Sequence, residues 1–201
     1  MSTVVVIYFS ATGVTERLAT AICEGASTLT DAATHRIAGS EIIDGRFRNE
    51  TDLKLADSAD AVAFESPTYM GGPAAQFKAF ADATGDRWSE RTWAHTVAAG
   101  FTTGTCANGD QGHTLAYFAV LAAQHGMIWC NLDIPGGYDP QNRNRLGTQM
   151  GVSSQQFKGS LPAADLLTAQ HPWANRWHHS PCASRYQSAT HWEAKKVRPN
   201  D

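Results

Sequence analysis

Three hydroxyls and one glycine stand at the end of an apolar run. Val4-Val5-Val6-Ile7-Tyr8-Phe9 leads straight into Ser10-Ala11-Thr12-Gly13-Val14-Thr15. The residues that follow, Glu16-Arg17-Leu18-Ala19-Thr20-Ala21-Ile22, have helical character. A turn between a buried strand and a helix start offers free N–H groups at the positive end of the helix dipole, and hydroxyls there add donors. Such a turn is a phosphate cradle. It holds no lysine, so it is not the GxxxxGK[ST] loop of a nucleoside triphosphatase. It holds a single glycine, so it is not the GxGxxG of a dinucleotide fold. Neutral dipoles without a base suit one terminal phosphate. The same residues also suit an ordinary capped helix, with Thr12 or Thr15 as the cap.

Two further stretches carry residues of the same kind. Ser66-Pro67-Thr68-Tyr69-Met70-Gly71-Gly72-Pro73 combines a flat amphipathic ring, a polarizable thioether and two glycines that let backbone approach a planar ligand. It also reads as a tight turn launching a helix at Pro73. Thr102-Thr103-Gly104-Thr105-Cys106-Ala107-Asn108-Gly109-Asp110-Gln111-Gly112 is small and polar enough to wrap a ring edge, or to be a plain surface loop.

What must position these loops is an alternation of strands and helices. Strands are expected at Thr3–Phe9, Thr34–Ile37, Ala61–Glu65, Thr96–Phe101 and Met127–Asn131. Helices are expected at Thr15–Ser27, Asp52–Asp57, Pro73–Thr84, His113–His125 and Pro162–Gln170, with Gly85 and Gly126 as C-terminal stops. Residues Ala38–Thr51 and Leu132–Gln155 read as irregular. This pattern predicts an α/β fold, a doubly wound five-stranded parallel sheet of order 2-1-3-4-5 with helices on both faces. Right-handed crossovers then bring the ends of strands one, three and four to one edge, and with them the three loops.

Composition supports a globular chain. Of 201 residues, 42% are hydrophobic and 17% charged, enough to bury a core in one domain. A net charge of −3 and the lack of a basic run before the C-terminus argue against nucleic acid as a partner. No apolar stretch approaches a membrane span, and no secretory signal is expected. Cys23, Cys106, Cys130 and Cys182 form no CxxC pair, so free thiols, a cytoplasmic setting and no metal site are expected. His178-His179 with Cys182 lacks zinc-knuckle spacing. The domain is expected over residues 1–171 and an irregular tail over 172–201.

Several stretches, taken in order, resemble the WrbA-type NAD(P)H:quinone oxidoreductases, a flavodoxin-like family. They are Tyr8-Phe9-Ser10-Ala11-Thr12-Gly13, Ser66-Pro67-Thr68-Tyr69-Met70-Gly71, Gln76-Phe77-Lys78-Ala79-Phe80-Ala81-Asp82, Thr84-Gly85-Asp86-Arg87-Trp88, Thr103-Gly104-Thr105 and His125-Gly126-Met127. The resemblance implies FMN as cofactor, NADH or NADPH as hydride donor, a quinone reduced by two electrons, and a homotetramer, or a dimer, whose active sites include residues of neighbouring subunits. It places the phosphate on Ser10, Ala11, Thr12, Gly13, Val14 and Thr15. It places the flavin ring against Pro67, Thr68, Tyr69, Met70 and Gly71, with Thr102, Thr103, Gly104, Thr105 and Asn108 on its pyrimidine side. Trp88, from an adjacent subunit, and Tyr69 would wall the substrate. Gln124-His125 stands where the family shows two histidines and is the expected catalytic pair. Thr12 stands where some members carry an aromatic. A flavodoxin-type electron carrier is the alternative function.

Overall fold

The computed structural model describes residues 3–172, so nearly all of the expected tail, with its tryptophans and His178-His179, lies outside the described residues. The elements run β1 (Thr3–Tyr8), α1 (Val14–Ser27), β2 (Asp31–Arg36), β3 (Ile42–Ile43), β4 (Arg46–Phe47), α2 (Glu50–Asp57), β5 (Ala61–Glu65), β6 (Thr68–Tyr69), β7 (Gly72–Pro73), α3 (Ala75–Asp82), α4 (Gly85–Glu90), β8 (Val97–Gly104), α5 (Gln111–Gln124), β9 (Ile128–Trp129), β10 (Val152–Gln155) and α6 (Ala163–Ala169).

The main sheet has the order β10-β8-β5-β1-β2, with β9 also on β8, and every pairing in it is parallel. This is the expected 2-1-3-4-5 arrangement. Side chains alternate across the strands and both faces are covered, hence the continuous apolar runs. Val5, Ile7, Val62, Phe64 and Ala98 face a layer with α2, α3 and α5, where Phe77 and Phe118 lie 4.7 Å apart between ring centroids. Val4, Val6, Ala61, Ala63, Ala99 and Phe101 face α1 and α6. No helix among the described residues is long and apolar enough to cross a membrane.

Four expectations need correction. The fifth strand is split: β9 pairs with the start of β8 and β10 with its end, and residues 130–151 leave the sheet between them. Buried Asn144 holds that excursion, donating to the Ile134 carbonyl at 2.8 Å and accepting from the Thr148 N–H at 3.0 Å. Thr102–Gly104, expected in a loop, continues β8. Pro73 does not open a helix but pairs in the β6–β7 hairpin, and α3 starts two residues later. Gly85 begins α4 instead of ending the helix before it.

Candidate functional site

Parallel pairing puts the carboxyl ends of β1, β5 and β8 side by side, and hydrogen bonds tie their loops together. Phe9 N–H donates to the Glu65 carbonyl at 3.2 Å. The hydroxyls of Thr15 and Thr103 lie 3.0 Å apart. The Thr68 hydroxyl lies 2.8 Å from those of both Thr102 and Thr114. The Thr102 hydroxyl donates to the Ser66 carbonyl at 2.7 Å. The three loops thus form one rim.

At its first section, α1 begins without a side-chain cap. Its N-cap is Gly13, at φ 83°, and neither Thr12 nor Thr15 caps it. The bland reading of this turn as a capped helix therefore fails, and the first-turn N–H groups keep their donor capacity. Ser10 is buried and its hydroxyl accepts from the Gly13 N–H at 3.0 Å, which folds the turn and leaves its own O–H to donate. Ala11 and Thr12 are exposed at the rim, and Val14 and Thr15 are buried. One cation also serves the turn, against expectation. Arg36, at the end of β2, donates to the Ser10 carbonyl at 2.8 Å. It lies 26 residues from Ser10, and only the β1–β2 pairing brings it close.

The second section is the β6–β7 hairpin. Its two-residue tip is Met70-Gly71, at φ 48° and 79°, the positive-φ pattern of a type I′ turn. Methionine is a costly choice at such a position, and Met70 is fully exposed, with Tyr69 half-exposed beside it. Pro67 is buried beneath. The Ser66 hydroxyl accepts the Ala74 N–H at 2.8 Å and closes the loop's base.

In the third section, Thr102 and Thr103 are buried with their hydroxyls bonded inside the chain, so they join loops rather than face the rim. Gly104 is half-buried, and Thr105, Cys106, Ala107 and Asn108 are exposed. Gln111 staples this loop: its amide donates to the Cys106 carbonyl at 2.7 Å and accepts the Gly109 N–H at 2.9 Å. A Cβ on Gly104 would lie 2.6 Å from that amide nitrogen, so the staple demands glycine there. Like α1, α5 starts at this rim without a side-chain cap, on Asp110 at φ 62°. Neither Gln111 nor Arg36 carries a local sequence signal.

Beneath the rim lies Glu65, fully buried at the end of the central strand. Among the described residues neither of its carboxyl oxygens has a hydrogen-bond partner. Burial alone pushes its pKa well above the ordinary carboxylate range. The neighbouring Tyr8 phenol is pushed up to about 12, by burial and then by Glu16, to which its O–H donates at 3.3 Å.

The expected catalytic and substrate residues are not brought to this rim by their own chain. Gln124 ends α5 and His125 follows it, roughly 20 Å of helix away from the rim. There Gly126 accepts the His95 N–H at 2.9 Å, beside the entry to β8. His125 is buried, its Nε2 lies 2.8 Å from the Thr84 hydroxyl, and its ring centroid lies 4.6 Å from that of Trp93. Burial lowers its pKa, which favours the neutral ring. Gln124 is exposed, and so is Trp88, on α4 at the same far end.

A doubly wound parallel sheet, an uncapped first helix at its switch point and two flanking loops define a flavodoxin-type nucleotide-binding fold. The family model described as NADPH-dependent FMN reductase matches residues 3–132, and the chain belongs to that family. It is 37% identical over 178 residues to Flavodoxin FldP of Pseudomonas aeruginosa, covering 85% of this chain and 92% of that protein. It is 31% identical over 157 residues to an NAD(P)H dehydrogenase (quinone) of Syntrophus aciditrophicus, covering 70% of this chain and 76% of that one. Among solved structures, the WrbA-like flavodoxin of Agrobacterium tumefaciens superposes with a TM-score of 0.68 at 36% identity, over 87% of this chain and 94% of that one. The likeness to the WrbA-type family, read from the motifs, is borne out.

The residues present fit FMN. The uncapped α1 start with the Ser10 turn and Arg36 suits a phosphate monoester. Tyr69 and Met70 offer apolar faces to a ring.

Proposed function

We propose that this chain is an FMN-dependent oxidoreductase in which NADH or NADPH gives a hydride and a quinone is reduced by two electrons to the hydroquinone. FMN, when bound, supplies the hydride acceptance and the electron delivery. The chain's own residues bind, orient and exclude water. Val14, Thr15 and Glu16 N–H groups, the Thr12 hydroxyl and Arg36 hold the phosphate. Pro67, Thr68, Tyr69, Met70 and Gly71 wall the ring, with Tyr69 also facing the substrate. The Gly104–Asn108 backbone, stapled by Gln111, and the α5 start offer donors to its pyrimidine side, while Thr102 and Thr103 fix the two loops against each other. One observation carries the reading: three loops tied by hydrogen bonds around a helix start that no side chain caps.

Trp88 and Gln124 lie at the far end of the same chain, so any role at the substrate requires a neighbouring subunit, in keeping with a homotetramer. His125, buried against Trp93 and bonded to Thr84, has a structural role. The relative named Flavodoxin FldP favours a second reading, an FMN electron carrier without substrate turnover. Purified chain loaded with FMN and mixed with NADH or NADPH and benzoquinone separates the two. Flavin-dependent hydroquinone formation supports the enzyme. Flavin uptake without turnover rejects it in favour of the carrier.

A further inference from the structure

Two strands flank the one that ends in Glu65, and each reaches the first turn of α1. On one side, Tyr8 is level with Glu65 in the sheet and bonds to Glu16. On the other, Phe101 is level with Glu65, and Thr103, two residues further up β8, bonds to Thr15. Tyr8, Phe101 and Glu65 share the α1 face of the sheet, as the strand alternation of Ala61 and Ala63 requires. The Glu65 carboxyl therefore sits under the α1 first turn, the place proposed for the anion. It is fully buried, and neither oxygen has a partner among the described residues.

A buried acid without partners is costly unless something uses it. We propose that Glu65 forms the floor of the phosphate seat and that its charge state sets how tightly the anion is held. Neutral, it lets a phosphate dianion rest on the uncapped helix start. Ionised, it places a second negative charge under that seat in a medium that screens poorly, and the anion leaves. The coupling is reciprocal: a bound phosphate makes Glu65 harder to ionise. The other titratable groups facing this point are Tyr8 on β1, neutral up to about 12, and Glu16 on α1, with Arg36 beyond it at the seat. From β8 the facing groups are Phe101 and Thr103, which do not titrate. On α6, Asp165 is taken by Arg145 and Ser154. Of these groups, Glu65 is the one that is fully buried with neither carboxyl oxygen partnered among the described residues.

The inference rests on FMN as the ligand, and the test separates the two. FMN and riboflavin are titrated into the full-length chain and its Glu65→Gln variant from about pH 7, where the phosphate is already mostly dianionic, to about pH 9.5. In the wild type, FMN affinity falls toward the one-proton limit of about tenfold per pH unit, and riboflavin affinity stays level. In the variant, FMN binding is level too. Calorimetry of the wild type in two buffers of different ionisation enthalpy needs no variant and reads proton uptake when FMN binds at the alkaline end. The same FMN slope in both proteins, or no proton uptake, overturns the role of Glu65 alone. Refusal of FMN by the wild type at every pH overturns the functional reading and this inference with it.

Discussion

At the scale of single residues, the seat at α1 works through a few atoms. Arg36 adds the cation that the turn itself lacks, through one 2.8 Å hydrogen bond to the Ser10 carbonyl. It is exposed, so its contribution is modest and screened by salt. Arg36→Ala is expected to weaken FMN binding by about three- to tenfold, and the loss should shrink as salt is raised, in a fluorescence titration at two ionic strengths. Gly104 acts through space: Gly104→Ala puts a Cβ 2.6 Å from the Gln111 amide. The amide must swing aside and give up its two loop hydrogen bonds, at about 1–2 kcal/mol. Thermal unfolding should record that loss, and FMN affinity should fall along with it because the stapled loop shifts. Gly104 was legible in the sequence among the residues of the third loop, but Arg36 and the Gln111 staple were not, since neither has a local signal. Arg36 is 26 positions from its partner, and Gln111 looks like any polar residue at a helix start. The Ser10–Thr15 turn was legible because its donors, its glycine and its flanking elements are contiguous.

At the scale of elements, legibility followed how each segment is stabilised. β1 and β5 are buried on both faces by apolar side chains, so their runs announced them, and the Ala61–Glu65 bounds agree residue for residue. β10 reads Val-Ser-Ser-Gln and gave no such signal. Its polar groups are satisfied by tertiary partners: the Ser154 hydroxyl donates to Asp165 at 2.7 Å and the Gln155 N–H to the same carboxylate at 3.1 Å. α4 is six residues long and opens with glycine, below the length at which helical spacing shows. The excursion between β9 and β10 depends on Asn144. Its side chain donates to the Ile134 carbonyl and to Gln149, and it accepts from the Thr148 N–H. Asn144→Ala leaves buried backbone groups unpaired, at about 2–3 kcal/mol. Urea unfolding should show the loss. FMN affinity should be little changed, since the excursion does not form the rim.

At the scale of the whole molecule, two buried titratable groups, Glu65 and His125, contribute to the response to pH with opposite signs. Glu65 keeps its proton when folded and loses it when unfolded, so stability falls as pH rises from the ordinary glutamate value, about 4.3, toward its raised folded value. The slope approaches 1.4 kcal/mol per pH unit, roughly, in that window. His125 has the opposite sign: its lowered pKa costs stability as pH falls below about 6.5. The two oppose each other under mild acid, and on the alkaline side the half-buried Cys23 thiol, also pushed up, adds to the fall that Glu65 causes. The unfolding midpoint of the ligand-free chain should therefore fall as pH rises from the ordinary glutamate value toward the raised folded one, and Glu65→Gln should flatten that fall. Size measurement by light scattering tests the assembly: a tetramer allows Trp88 and Gln124 to meet a neighbour's rim, while a monomer with full quinone turnover removes them from the reaction.

The central claim is that three loops around an uncapped helix start hold FMN by its phosphate. Titration of the purified full-length chain with FMN and, separately, with riboflavin addresses it most directly. The two ligands share the ring and differ in the anion. FMN is expected to bind at least about a hundredfold more tightly, a gap of roughly 2.7 kcal/mol. Equal affinity for both, or no affinity for FMN, would contradict the account.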